Sequence, residues 1–180
     1  MVFHIISKEN LGKIKMPNLV IDNGKIIDND CIYEIKNDKM IIFLDFERIF
    51  DGMSKELKDK ILREINHQEH CDAISISYDN TAQDQITIKI YELSMEKNRD
   101  ITKYIRKFEY CAKFSEYFLN NISKLVNKKS KIHFTLIFVV NSDIVEKVEK
   151  EIKKLSSHFN RPIFIRYGKP KLDVKVCKAS

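Results

Sequence analysis

Two short runs carry the residues best suited to chemistry. They are Cys71-Asp72-Ala73-Ile74-Ser75-Ile76-Ser77 and Ile86-Thr87-Ile88-Lys89-Ile90-Tyr91-Glu92-Leu93-Ser94. Each reads as a strand bearing one carboxylate. Asp72 opens the first, and Glu92 stands near the end of the second, on the same face as Ile86, Ile88 and Ile90. A carboxylate on the buried side of a strand is costly unless it is paired or binds a cation. Two of them on neighbouring strands are one way to hold Mg2+, which takes oxygen ligands and keeps several waters. The same residues also fit a plainer reading, in which Asp72 ends a helix and Glu92 is a rim carboxylate.

Other chemistry is weaker. His67-Gln68-Glu69-His70-Cys71-Asp72 gathers metal-ligating types, but the histidines are three apart at a helix end. The helical zinc signature needs them four apart. The four glycines do not cluster, which excludes a P-loop. Cys31, Cys71, Cys111 and Cys177 are widely spaced, with no CxxC pair, so a structural zinc site is not expected and nothing demands disulfides.

The elements that must position these residues follow from periodicity. The first fifty residues are β-rich. Cys31–Ile35 and Met40–Leu44 flank the turn-like residues 36–39 and read as a hairpin. A helix is expected from Ser54, a plausible N-cap, to His67, with Met53, Leu57, Ile61 and Ile65 on one face. Glu64 falls inside that apolar arc. The two acid-bearing strands cover about 71–78 and 85–93. A long helix starts at Asp100 and runs to about Val126, striped with Ile101, Tyr104, Ile105, Phe108, Cys111 and Ala112. Lys131–Val140 is apolar throughout, as in a central strand buried on both faces. A helix over Ile144–Ser157 and a strand over Pro162–Tyr167 complete an expected βαβ unit, and Leu172–Val176 adds an edge strand.

The order helix, strand with Asp, strand with Glu, long helix, apolar strand resembles the PD-(D/E)xK nuclease superfamily. The phrases Cys71-Asp72-Ala73-Ile74 and Ile90-Tyr91-Glu92-Leu93-Ser94 look like its motif, and the resemblance covers about 52–167. It implies an α/β (α+β) fold, with a mixed central sheet flanked by helices. The core, residues 52–180, would be restriction-endonuclease-like, with residues 1–51 as a β-rich extension. It implies that Asp72, Glu92 and the main-chain carbonyl of Leu93 bind Mg2+ or Mn2+, and that Glu64 matches the acid many members carry on the first helix. Two features depart from the pattern. Ser94 replaces the motif lysine, and a serine cannot carry that positive charge. Some members place the lysine on the next helix, where Lys103 is the first choice and Lys107, at the edge of the apolar stripe, the second. The family core also has a three-stranded meander, and only two strands are visible between the helices.

Composition bounds the partners. Hydrophobic content of 43% and charged content of 32% over 180 residues fit a globular chain rather than a disordered one. Ile and Lys are abundant and Gly, Pro and Ala scarce, a bias of thermophiles or of AT-rich genomes. Residues 1–100 carry 14 Lys/Arg against 19 Asp/Glu, and residues 101–180 carry 18 against 7, so a net −5 half precedes a net +11 half. The basic half is expected to meet a polyanion, DNA or RNA. Tyr110, Tyr117, Arg106 and Lys113 fall on one side of the long helix and read either as a nucleic-acid face or as a snorkelling basic face. No signal peptide or membrane span is visible, so a cytoplasmic protein is expected; a homodimer is among the partners considered. The readings open at this point are a metal-dependent nuclease, a non-catalytic nucleic-acid-binding module and a protein-interaction module.

Overall fold

The computed structural model describes residues 5–6, 14–15, 19–22, 25–28, 31–34, 41–79, 85–94, 100–121, 131–154, 159 and 162–179. The expected turns at 36–39 and 80–84, and the helix ends at 122–126 and 155–157, lie outside them. In chain order the elements are β1 (Ile5–Ile6), β2 (Ile14–Lys15), β3 (Leu19–Asp22), β4 (Lys25–Asp28), β5 (Cys31–Glu34), β6 (Ile41–Asp45), α1 (Phe46–Gly52) and α2 (Lys55–Ile65). Then come β7 (Ala73–Asp79), β8 (Gln85–Ser94), α3 (Ile101–Asn121), β9 (Lys131–Val140), α4 (Val145–Lys154), α5 (Pro162–Tyr167), β10 (Lys171–Val176) and β11 (Lys178–Ala179).

The fold is mixed α/β. One sheet has the order β1-β6-β7-β8-β9-β10 and a second has the order β11-β5-β4-β3-β2. In the first, β1, β6, β7 and β8 run antiparallel in turn, and β8, β9 and β10 are parallel. Alternation along the strands separates two cores. Ile74, Ile76, Ile88, Ile90 and Phe138 face the helices, where Phe46, Ile61, Phe108, Val148 and Phe164 meet them. Ala73, Tyr91, Leu93, Ile137 and Val139 face the other way, onto Ile26, Cys31 and Cys177 of the second sheet and its tether. Glu92 has the parity of Ile90, so it lies on the helix side.

Local chemistry explains the helix boundaries. Ser54 caps α2, its side chain accepting from the Leu57 N–H at 3.3 Å. Asn66 closes the helix in the left-handed region, with φ 61°. Asp100 caps α3 by accepting from the Thr102 N–H at 2.8 Å. Among the described residues no helix is long and apolar enough to cross a membrane.

Four expectations change. Pro162–Tyr167 is helix α5, not a strand. Proline is favoured in the first turn, where its missing N–H has no intrahelical partner to lose, and Gly168, at φ 90°, follows the last residue. The crossover from β9 therefore closes on β10, which is parallel to it. The hairpin expected between 31–35 and 40–44 does not form: β5 pairs with β4 and β11, while β6 pairs with β7. Strand β6 is thus a third antiparallel strand beside β7, entering from before α1 and α2, so only two strands lie between α2 and α3. All four cysteines are paired, Cys31 with Cys177 and Cys71 with Cys111.

The fourth change concerns α3. It is buried nearly all round, because α1 and α2 cover the side opposite the sheet. Tyr110 is 0% exposed, with Phe46 and Phe50 edge-on at 6.1 and 5.7 Å. Lys113 and Tyr117 are engaged with Glu64. Of the four residues read as either a nucleic-acid face or a snorkelling basic face, only Arg106 is exposed.

Candidate metal and phosphate site

The antiparallel pairing Ala73↔Tyr91 brings Asp72, one residue earlier, to the position facing Glu92. Main-chain bonds hold Asp72 on both sides. Its N–H donates to the Tyr91 carbonyl at 3.2 Å, and its carbonyl accepts from the Phe46 N–H at 3.2 Å. Its carboxylate Oδ2 accepts from the Leu93 N–H at 2.7 Å. Asp72 is thereby fixed to the two neighbours of Glu92, and both acids stand at the same end of β7 and β8.

Lys107 reaches them from the second turn of α3. Its Nζ lies 2.5 Å from Glu92 Oε1 and 3.9 Å from Asp72 Oδ1. The Glu92 side chain is 0% exposed, that of Lys107 16% and that of Asp72 21%. A carboxylate this deeply buried needs a positive partner, and removing one member of such a pair typically costs about 3–5 kcal/mol. The ammonium marks the point between the acids where positive charge belongs. Ser94, on the same side of β8 as Glu92, is buried at 6%.

The other expected residues lie elsewhere. Lys103, one turn earlier on α3, is exposed. Glu64 does not join the pair. It is bound by Lys113 and by the Tyr117 hydroxyl, six and ten residues beyond Lys107 on α3. At about 1.5 Å per residue those contacts are roughly 9 and 15 Å further along the helix axis. Lys113 also donates to Glu116 at 2.9 Å, and Arg166 of α5 reaches Glu116 at 2.5 Å. This charged network joins α2, α3 and α5. Burial pushes the Glu64 carboxyl up, but the hydrogen bonds of Lys113 and Tyr117 and the charges of Lys113 and Lys60 outweigh it and hold it below its ordinary value. Burial pushes Lys113 down, and Glu64 and Glu116 more than reverse that.

The histidine run is dispersed. His67 Nε2 lies 3.2 Å from Glu109 Oε2, His70 Nδ1 lies 3.3 Å from the Cys71 carbonyl, and Glu69 pairs with Arg106 at 3.7 Å. Among the described residues no group of three or more His, Cys, Asp and Glu side chains converges on one point. Sequence reasoning missed Glu109 and Glu116 as buried acids. Their one visible signal is a carboxylate within α3 at positions that α1, α2 and α5 cover.

No family model, curated protein or solved structure matches the chain.

Proposed function

We propose that the chain is a metal-dependent nuclease of the PD-(D/E)xK type acting on DNA phosphodiester bonds. Asp72 and Glu92 are its metal-holding acids, and Lys107 takes the place of the motif lysine. The convergence of both carboxylates on the Lys107 ammonium carries this reading. The antiparallel strands β7 and β8, followed through α3 by the parallel strand β9, support it. Strand β6 adds a third antiparallel strand beside β7, although α1 and α2 separate it from β7 in the chain, where the family meander is continuous. The donor set suits a hard divalent cation, since two carboxylates and the Leu93 carbonyl offer only oxygen. When bound, Mg2+ or Mn2+ supplies Lewis-acid polarisation of a phosphoryl oxygen. Lys107 steadies charge on the scissile phosphate, a task Ser94 cannot perform. Glu64 and Lys103 have no part in the chemistry.

The net +11 half holds the nucleic-acid backbone, with Lys147, Lys150, Lys153 and Lys154 exposed on α4. Such contacts carry no sequence information and weaken steeply with salt. The proposal includes a cytoplasmic setting in a heat-adapted source. Intracellular disulfides are rare except in hyperthermophiles, and the Ile and Lys bias fits the same origin.

Calorimetric titration with Mn2+ tests the reading. Wild type should take up the ion, and Asp72→Asn and Glu92→Gln should lose it. A non-catalytic nucleic-acid-binding or interaction module is the second reading, favoured by Ser94 at the lysine position and by Lys107 neutralising Glu92. That module would bind DNA without metal uptake.

A further inference from the structure

Strand β10 ends the six-stranded sheet, with β9 on one side and no further strand beside it among the described residues. Its helix-side residues Leu172, Val174 and Val176 extend the apolar row of Leu136, Phe138 and Val140. Leu172 and Val174 are partly buried, while Val176 is 51% exposed. It is the one large apolar side chain left open to solvent among the described residues. On the opposite face Asp173 stands between Lys171 and Lys175, at 3.2 and 3.8 Å. Lysines on an edge strand normally discourage pairing. Here the order Leu-Asp-Val-Lys-Val reads as its own complement when reversed about Val174.

We propose that this edge binds the same edge of a second copy of the chain, antiparallel, with Val174 on the two-fold axis. In that register Asp173 faces the partner's Lys175 on one side of the sheet. Leu172 faces the partner's Val176 on the other, which covers the exposed valine. Opposite charges and apolar pairs directly across an antiparallel ladder are favourable, and like charges are not. A pairing centred on Asp173 would set Asp173 against itself and Lys171 against the partner's Lys175, so the lysines select one register and reject its neighbour. The interface is isologous, as two-fold dimers require, and one sheet then runs through both copies. The inference does not depend on the nuclease reading.

Light scattering coupled to size exclusion, over a dilution series of the full chain, tests it. Wild type should give twice the 21.3 kDa of the chain. Asp173→Lys and Lys175→Asp should each give monomers with unchanged far-ultraviolet circular dichroism, since each sets like charges across the two-fold. Mixing these two variants should restore a one-to-one dimer, because every pair is complementary again. The double variant Asp173→Lys/Lys175→Asp should dimerise alone. A wild type that stays monomeric at every concentration, single variants that remain dimeric, or a mixture that fails to associate would each overturn the proposal.

Discussion

Lys107 Nζ lies 2.5 Å from Glu92 Oε1, so a helix delivers to the second strand acid the cation that its own strand lacks at Ser94. The same ammonium is 3.9 Å from Asp72. Two strands and one helix therefore meet at a point of fixed charge, and the consequences can be measured.

Lys107→Ala should lower any DNA-cleavage rate by about 10²-fold or more, the usual loss on removing one stabiliser of developing charge. Lys103→Ala should leave the rate unchanged, because its side chain points to solvent. DNA affinity should fall little in either variant, since one phosphate contact among several is a modest share. Single-turnover cleavage and filter binding separate the two effects.

The pair also supports the fold. Lys107→Met leaves Glu92 buried beside an apolar chain and should lower unfolding stability by about 3–5 kcal/mol in denaturant titration. Lys107→Met/Glu92→Gln should recover part of that loss, because the uncompensated charge is gone. A double variant no more stable than Lys107→Met would contradict the pairing.

The two acids were legible in the sequence because strand alternation places Asp72 and Glu92 with the isoleucines of the helix side. Lys107 was legible only as a lysine at the edge of a stripe. Periodicity finds the face of α3 that meets the sheet, but it does not show that α1 and α2 bury the opposite face. Tyr110, Lys113 and Tyr117 therefore looked like a surface. The run Pro162–Tyr167 is too short for periodicity to tell strand from helix. Strand β6 was visible as an apolar run, yet its partner was not, since pairing across the intervening α1 and α2 leaves no local trace. Cysteine pairing was hidden for a similar reason, as four cysteines allow three connectivities.

The Glu64–Lys113–Tyr117 cluster gives the acid limb of stability a definite sign. Glu64 is held below its ordinary 4.5, so its contribution is present above that value and is lost as pH falls through the lowered one. Lys113 is held above its ordinary 10.5, so its contribution is present below that value and is lost as pH rises through the raised one. Melting temperature measured across pH 3–6, about the ordinary Glu range, should fall less steeply in Glu64→Gln than in wild type. Parallel curves would remove Glu64 from the network.

The Cys71–Cys111 bridge joins the residue before Asp72 to α3 one turn beyond Lys107, and closes 40 residues of chain. Both cysteines are 0% exposed. In the chain-entropy account a loop of that size is worth about 4 kcal/mol. Cys71→Ser/Cys111→Ser should therefore unfold at markedly lower denaturant than the oxidised wild type. Under a dithiol reductant, alkylation of these two cysteines should require unfolding. Rapid alkylation of the folded chain would contradict their burial.

Nicking of supercoiled plasmid is the most direct measurement of the central claim. Wild type with Mg2+ or Mn2+ should convert supercoiled to open-circular DNA, EDTA should abolish the conversion, and Asp72→Asn, Glu92→Gln and Lys107→Ala should each suppress it while Lys103→Ala does not. Wild type that binds the plasmid yet leaves it supercoiled with both ions, or nicking that survives Asp72→Asn, would contradict the account.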